Sequence, residues 1–190
     1  EQAPNAIDDN DQTKYLNFDG KNDQPSGLTI TTAGGVVKGL GLTSANDAPD
    51  RDPATFVLSG SNDGGASFTE IASGDVPAFG ARFERQEVKF SNDEFYTTYE
   101  LIFPTTTGPS TCCMQIAEIE LLGTPYVPED ISAAGDAVVA SSDNSPGGEQ
   151  AANAIDGDAA TKYLNFDGKD NQPSGLTIAT AGGVVTGLGL

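Results

Sequence analysis

Apolar and polar residues alternate in short runs along most of this chain. Thr55–Ser59 places Phe56 and Leu58 on one face. Glu84–Phe90 does the same with Val88 and Phe90, and Thr97–Phe103 with Tyr99, Leu101 and Phe103. Leu28–Ile30 and Val36–Leu42 read as two further strands, with Gly34-Gly35 as a tight turn between them. Phe68–Ile71 reads as the return strand after a hairpin-type turn at Ser61-Asn62-Asp63-Gly64-Gly65, whose residues tolerate positive φ. Leu16–Gly27 reads as turn chemistry throughout, and Thr43–Pro53 as a long polar loop. No long stretch repeats apolar residues at helical spacing. The pattern predicts an all-β fold, an antiparallel sandwich.

The last strand of this set, Met114–Leu122, changes phase. Met114 and Ile116 share one face, whereas Ile119 and Leu121 have the other parity. A bulge at Ala117-Glu118 would bring both pairs inward. It would also leave Glu118 near the core, where a bare carboxylate is costly unless paired. The plainer alternative is an exposed Glu at a sheet edge.

Residues 1–42 recur as residues 149–190, a shift of 148, with nine differing positions. A period this long is a whole domain and not a solenoid unit. The expected organisation is a sandwich over 1–123 that lacks its first strand, a linker over 124–130, and the amino-terminal part of a second copy over 131–190. A longer tandem array is the expectation for the native protein. A second reading has Ala137–Ala140 filling the vacant edge of the first copy by β-augmentation, within or between chains.

Composition narrows the chemistry. The 28 acidic residues against nine basic ones give a net charge of −19, which repels phosphate backbones and makes nucleic acid a poor partner. Such a surface attracts cations, and it equally suits solubility in a salty medium. Histidine is absent. That removes the commonest general base and transition-metal ligand, while hard cations with oxygen ligands stay possible. No apolar run is long enough for membrane insertion by a spanning helix. Neither a nucleophile–base pair nor a phosphate-cradling glycine loop stands out, so an enzyme is not expected. Cys112 and Cys113 are adjacent; free thiols, a strained vicinal bridge and bridges to other chains are the three readings.

The repeated stretch Asn5-Ala6-Ile7-Asp8-Asp9-Asn10-Asp11-Gln12-Thr13 is acidic and turn-rich. It returns as Asn153–Thr161 with Asp156 and Asp158 in the matching places. Hard cations take six to eight oxygens, and a tight loop supplies carboxylate, hydroxyl and carbonyl oxygens together. The EF-hand pattern fails, because the sixth position from Asp8 is not Gly and the twelfth is not Glu. By residue type alone an Asx-turn loop without an ion fits equally.

Asn5-Ala6-Ile7-Asp8…Thr13-Lys14-Tyr15, taken with the closing Met114-Gln115-Ile116-Ala117-Glu118-Ile119-Glu120-Leu121-Leu122-Gly123, resembles the coagulation factor 5/8 type C (discoidin) family. Within it the similarity is to the bacterial family 32 carbohydrate-binding modules. The resemblance implies an eight-stranded jelly-roll of the galactose-binding-domain-like kind, with calcium where the early loop meets the final strand. It implies backbone oxygens from Asn5, Asn10 and Ala117, carboxylates from Asp8 and Glu118, and both carbonyl and hydroxyl from Thr13. In the second copy Asn153, Asp156, Asp158 and Thr161 match, but the closing Ala-Glu does not occur before Leu190, so that site is expected to be incomplete. Two departures stand out: Asp9 replaces the family's frequent Gly, and Tyr15 its usual Trp.

By the same resemblance, ligands meet the loops at one end of the sandwich. The candidates are Tyr15, Asn17, Phe18 and Asp19, with Asn46, Asp47, Arg51 and Asp52. Arg51 could grip sugar hydroxyls or a uronate, or simply pair with Asp50 or Asp52, and Phe18 could be core. Two functions follow. One is an extracellular, calcium-stabilised glycan-binding or adhesive module at a cell surface. The other is a structural repeat of a filament or surface layer, whose partners are neighbouring copies in a polymeric assembly.

Overall fold

A computed structural model describes residues 1–20, 26–108, 112–127, 129–142, 144–169, 172–183, 185 and 188. Part of the turn expected over Leu16–Gly27 therefore lies outside the described residues. The chain divides into two compact units, Glu1–Tyr126 and Val127–Leu190.

Unit one is all-β and antiparallel. Its strands are β1 (Tyr15–Asn17), β2 (Ser26–Thr43), β3 (Thr55–Ser61), β4 (Thr69–Asp75), β5 (Arg85–Lys89), β6 (Tyr96–Phe103), β7 (Met114–Ile116) and β8 (Glu118–Pro125). The larger sheet runs β4-β3-β6-β2-β5, with β8 also on β2, and β1 pairs with β7 in a separate ribbon. Ile30, Leu40, Leu42, Phe56, Leu58, Tyr99, Leu101 and Phe103 from the large sheet meet Met114 and Ile116 from the ribbon in one core. These are the inward positions of the alternating runs, so the period-two pattern and the burial agree. Among the described residues no helix is long and apolar enough to cross a membrane.

The two strands expected around Gly34-Gly35 form one continuous strand, β2, of 18 residues. Its first part pairs with β6 and its second with β5 and β8. The glycines produce a register shift between Thr31 and Gly35 instead of a turn. Gly34 has φ 105°, and a Cβ there would strike the ring of Phe95. The buried Tyr99 hydroxyl donates to the Gly35 carbonyl at 2.7 Å and holds the irregularity in place.

The phase change in the closing strand is a physical break. Ala117 separates β7 from β8, and Met114, Ile116 and Ile119 are all buried. β8 runs on to Pro125, two residues into the stretch read as linker. Cys112 and Cys113 are joined to each other, so the free-thiol and interchain readings do not describe this structure.

Unit two holds β9 (Ala137–Ala140), a 3-10 turn at Ala151–Ala154, and β10 (Leu176–Ala179). The two strands pair antiparallel, with Ile178 opposite Val138.

Candidate functional site

The opening loop of unit one folds on itself around Thr13. A 3-10 turn at Ala3–Ala6 leads in, with Pro4 at its start, where a missing N–H does no harm. The Thr13 amide then closes a turn onto the Asn10 carbonyl at 3.0 Å. The Thr13 hydroxyl lies 3.0 and 2.9 Å from the two Asp8 carboxylate oxygens, 3.3 Å from the Asn5 carbonyl and 3.0 Å from the Asn10 carbonyl. A hydroxyl has a single proton to offer. Four acceptor oxygens around one proton leave a surplus of lone pairs directed into the same small space.

Glu118 reaches this loop from the start of β8. It is 7% exposed, and its Oε1 accepts the Asn10 amide at 2.9 Å. The same amide points at Asp8 Oδ1 at 3.1 Å. Two carboxylates 110 residues apart in sequence thus converge on one N–H. Their proton affinities are driven apart. Donation by the Thr13 hydroxyl holds the Asp8 carboxyl below its usual range. Burial, with the negative charge of Asp8 beside it, pushes Glu118 up despite the Asn10 amide.

Asn5, Asp8, Asn10, Thr13 and Glu118 are therefore brought together, with Ala117 fully buried beside Glu118 and its amide donated to the Thr43 carbonyl. Among the described residues no three His, Cys, Asp or Glu side chains converge on a metal position. The oxygen set is mainly carbonyl and hydroxyl, with two carboxylates, which suits a hard cation and not a transition metal. In unit two the loop repeats its turn without a carboxylate from a closing strand. Thr161 lies 2.8 Å from Asp156 and 2.9 Å from the Asp158 carbonyl, and 3.5 Å from the Asn153 carbonyl.

The residues expected to touch a ligand divide into two groups. Most have structural partners. The Lys14 ammonium is buried against Asn46 Oδ1 at 3.0 Å, Asp47 Oδ1 at 2.9 Å and Gln115 Oε1 at 3.1 Å. Asn46 and Asp47 are thus acceptors for an internal cation, and Lys14 holds Asp47 below the usual carboxylate range. Asp52 is 2% exposed and takes a two-point contact from the Arg82 guanidinium, one arm at 2.9 Å. Burial raises its carboxyl even beside that partner. Asp52 therefore cannot meet a ligand, and its cation is Arg82 and not Arg51. The Tyr15 ring packs against the core, with its hydroxyl 3.4 Å from the Gly27 carbonyl. Asn17 donates to the Ser26 hydroxyl at 2.8 Å. Lys14 and Asp52 are buried, where an unpartnered charge is costly, whereas Asn46 and Asp47 keep exposed surface beside their bonds to Lys14.

Phe18, Asp19 and Arg51 remain. Phe18 is 70% exposed and not part of the core. Asp19 is exposed at the end of β1. Arg51 ends a 3-10 turn at Pro49–Arg51 and makes no ion pair among the described residues. Both segments border β7. Asn17 pairs with Met114, and Gln115 donates its side-chain amide to the Asp47 and Ala48 carbonyls. The Thr107 and Gly108 amides fix the same turn through the Asp52 and Asp50 carbonyls. The Arg82–Asp52 pair and the Lys14 cluster could not be read from sequence, because Arg82, Asp52, Asn46 and Asp47 come from loops without periodic pattern.

The fold is that of the galactose-binding-like β-sandwiches, seen in family 32 carbohydrate-binding modules and F5/8 type C domains. A family 32 module from Clostridium perfringens NanJ, solved with galactose, is 18% identical with a TM-score of 0.51, covering 63% of this chain and 82% of that one. CBM32-5 from the same organism, solved with GalNAc-β-1,3-galactose, is also 18% identical with a TM-score of 0.51, covering 62% and 80%. An F5/8 type C domain from Bacteroides fragilis is 13% identical with a TM-score of 0.54, covering 65% and 82%. No family model matches the sequence. A 54-residue stretch is 43% identical to a peptide-N(4)-(N-acetyl-β-glucosaminyl)asparagine amidase of Arabidopsis thaliana, and spans 28% of this chain and 8% of that protein.

Proposed function

We propose that unit one is a jelly-roll carbohydrate-binding module, held closed by calcium, in an extracellular tandem-repeat surface protein. Its role is binding and not catalysis. The observation that carries the binding role is the rim beside β7: a largely exposed phenylalanine, Phe18, with Arg51 making no ion pair among the described residues. An exposed aromatic face and a guanidinium fork are what a sugar ring and its hydroxyls require. The likeness in fold to modules solved with galactose and GalNAc-β-1,3-galactose supports terminal galactosides as the first ligands to try. Calcium fits the oxygen surplus around Thr13, with Asn5, Asp8, Asn10, Thr13 and Glu118 as its holders and Ala117 as a carbonyl donor. The ion would neutralise two facing carboxylates and tie the opening loop to the closing strand.

A glycan array including galactose- and GalNAc-terminated glycans tests the reading. The expected result is binding to a terminal galactoside, weakened about tenfold or more, roughly 1.4 kcal/mol, by Phe18→Ala and by Arg51→Ala. An array blank for every glycan, from folded protein in calcium, removes the binding role and leaves the structural-repeat reading.

A further inference from the structure

Lys14 belongs by its backbone to one part of the site and by its side chain to another. It follows Thr13 directly, and so continues the loop that gathers Asn5, Asp8 and Asn10 around the Thr13 hydroxyl. Its ammonium, on a side chain 10% exposed, reaches the loop that carries Arg51, with Asn46 Oδ1 at 3.0 Å and Asp47 Oδ1 at 2.9 Å. It also reaches β7, with Gln115 Oε1 at 3.1 Å. An ammonium has three protons, and these three acceptors take them.

Gln115 passes the contact on. Lys14 can only donate, so the fully buried Gln115 amide must turn its oxygen toward it. The amide nitrogen then donates to the Asp47 carbonyl and, at 3.3 Å, to the Ala48 carbonyl. The Ala48 carbonyl also accepts the Arg51 amide at 3.0 Å, which closes the Pro49–Arg51 turn. Flipped, the Gln115 amide would set its oxygen against two carbonyl oxygens. The cation at Lys14 therefore fixes which way round it lies.

The cation holders flank this contact on both sides. Thr13 precedes Lys14, and Glu118 follows Gln115 by three positions. Between them β1 and β7 pair, with Tyr15 opposite Ile116 and Leu16 opposite Gln115. The same register, continued by two residues, sets Thr13 against Glu118. Drawing Thr13 and Glu118 to one ion clamps the end of the ribbon at which Lys14 meets Gln115.

We propose that Lys14 is a positioning residue that couples the Thr13 loop to the Arg51 turn, so that a divalent cation held by the loop stiffens the turn. The inference rests on the calcium part of the function proposed above and not on the identity of any sugar. By linkage, a ligand gripped by Arg51 and the cation strengthen each other by one common factor.

The experiment follows amide hydrogen exchange in the whole chain, in chelator and in saturating calcium. The Arg51 and Asp52 amides report the turn. The Gly65 and Ser67 amides, bonded within the β3–β4 hairpin, report the other end of β3. Calcium should slow the first pair about threefold or more and leave the second nearly unchanged. Lys14→Met keeps the reach of the side chain and every cation holder. It should keep the rise in melting temperature with calcium, while the ratio of Arg51 and Asp52 exchange without and with calcium falls to about one. A lysine that only stabilised the fold would change both rates and leave that ratio alone. Should Lys14→Met not fold, Asn46→Ala combined with Asp47→Ala, both at exposed positions, removes the two loop-side arms and should lower the ratio. A ratio unchanged in the folded variant overturns the proposal. So does a parent whose melting temperature rises with calcium while its turn amides exchange as before, a result that leaves calcium binding standing. No rise in melting temperature removes the calcium reading and the coupling with it.

Discussion

Replacing Glu118 by Gln separates the two jobs this side chain has. Gln keeps an oxygen to accept the Asn10 amide, now at 2.9 Å, and keeps the volume at a position 7% exposed. It removes the charge facing Asp8. Without divalent ions the variant should be as stable as the parent or more so, since burial and Asp8 both disfavour ionised Glu118. Calcium at a hundred times its dissociation constant should stabilise the parent by about 2.7 kcal/mol. For a chain of this size that corresponds to a melting shift of roughly 5–10 °C. The variant should lose most of the shift, because the ion would meet one carboxylate instead of two. Scanning calorimetry in chelator and in calcium measures both effects, with magnesium as the ion that demands stricter octahedral geometry. Asp156→Asn in unit two should leave the shift intact. No shift in the parent up to roughly 10 mM calcium, about ten times the weak-end dissociation constant of extracellular modules, or equal shifts in parent and Glu118→Gln, would refute the argument.

Other perturbations address the frame around the site. Arg82→Met strands the Asp52 carboxylate, 2% exposed, without its guanidinium. Urea unfolding should show a loss of about 3 kcal/mol, and a loss under about 1 kcal/mol would mean that water replaces the pair. Asp63 accepts the Ser61 and Ser67 hydroxyls and the Ser67 amide, which hold its carboxyl well below the ordinary range. A lowered native value gives stability present above the unfolded pKa of 3.8 and lost as pH falls through the lower folded one. Asp63→Asn should flatten the decline in melting temperature below about pH 4, and parallel profiles for the two proteins would count against it.

What was legible in the sequence was local. The Thr13 loop could be read because its turns use residues within eight positions, and the same contacts recur around Thr161 where no Glu118 counterpart is present. The break at Ala117 could be read because a two-residue period cannot bury Ile116 and Ile119 together without a bulge. The continuous β2 was misread because a Gly pair signals a turn and a bulge alike. Only the partner strands decide between them, and here β6 spans the irregularity and β8 joins β2 from Gly35 onward. The internal partners of the ligand candidates were hidden for a related reason. Lys14 reaches Gln115 across 101 positions, and Arg82 reaches Asp52 across 30, from a segment with no strand pattern. A sequence marks such residues as polar loop, and only the folded chain shows that they face inward.

The Asn10–Glu118 bond spans 108 positions. At ribosomal rates of 5–20 residues per second, that separation is roughly 5–20 seconds of synthesis. The bend around Thr13 can form as soon as it emerges, as its twin in unit two suggests. Its distant carboxylate arrives only with the final β-segment. Closure of the nascent unit is thus scheduled last, after the interior has been assembled, and a chain stalled before Glu118 would display a bend with nothing to latch it.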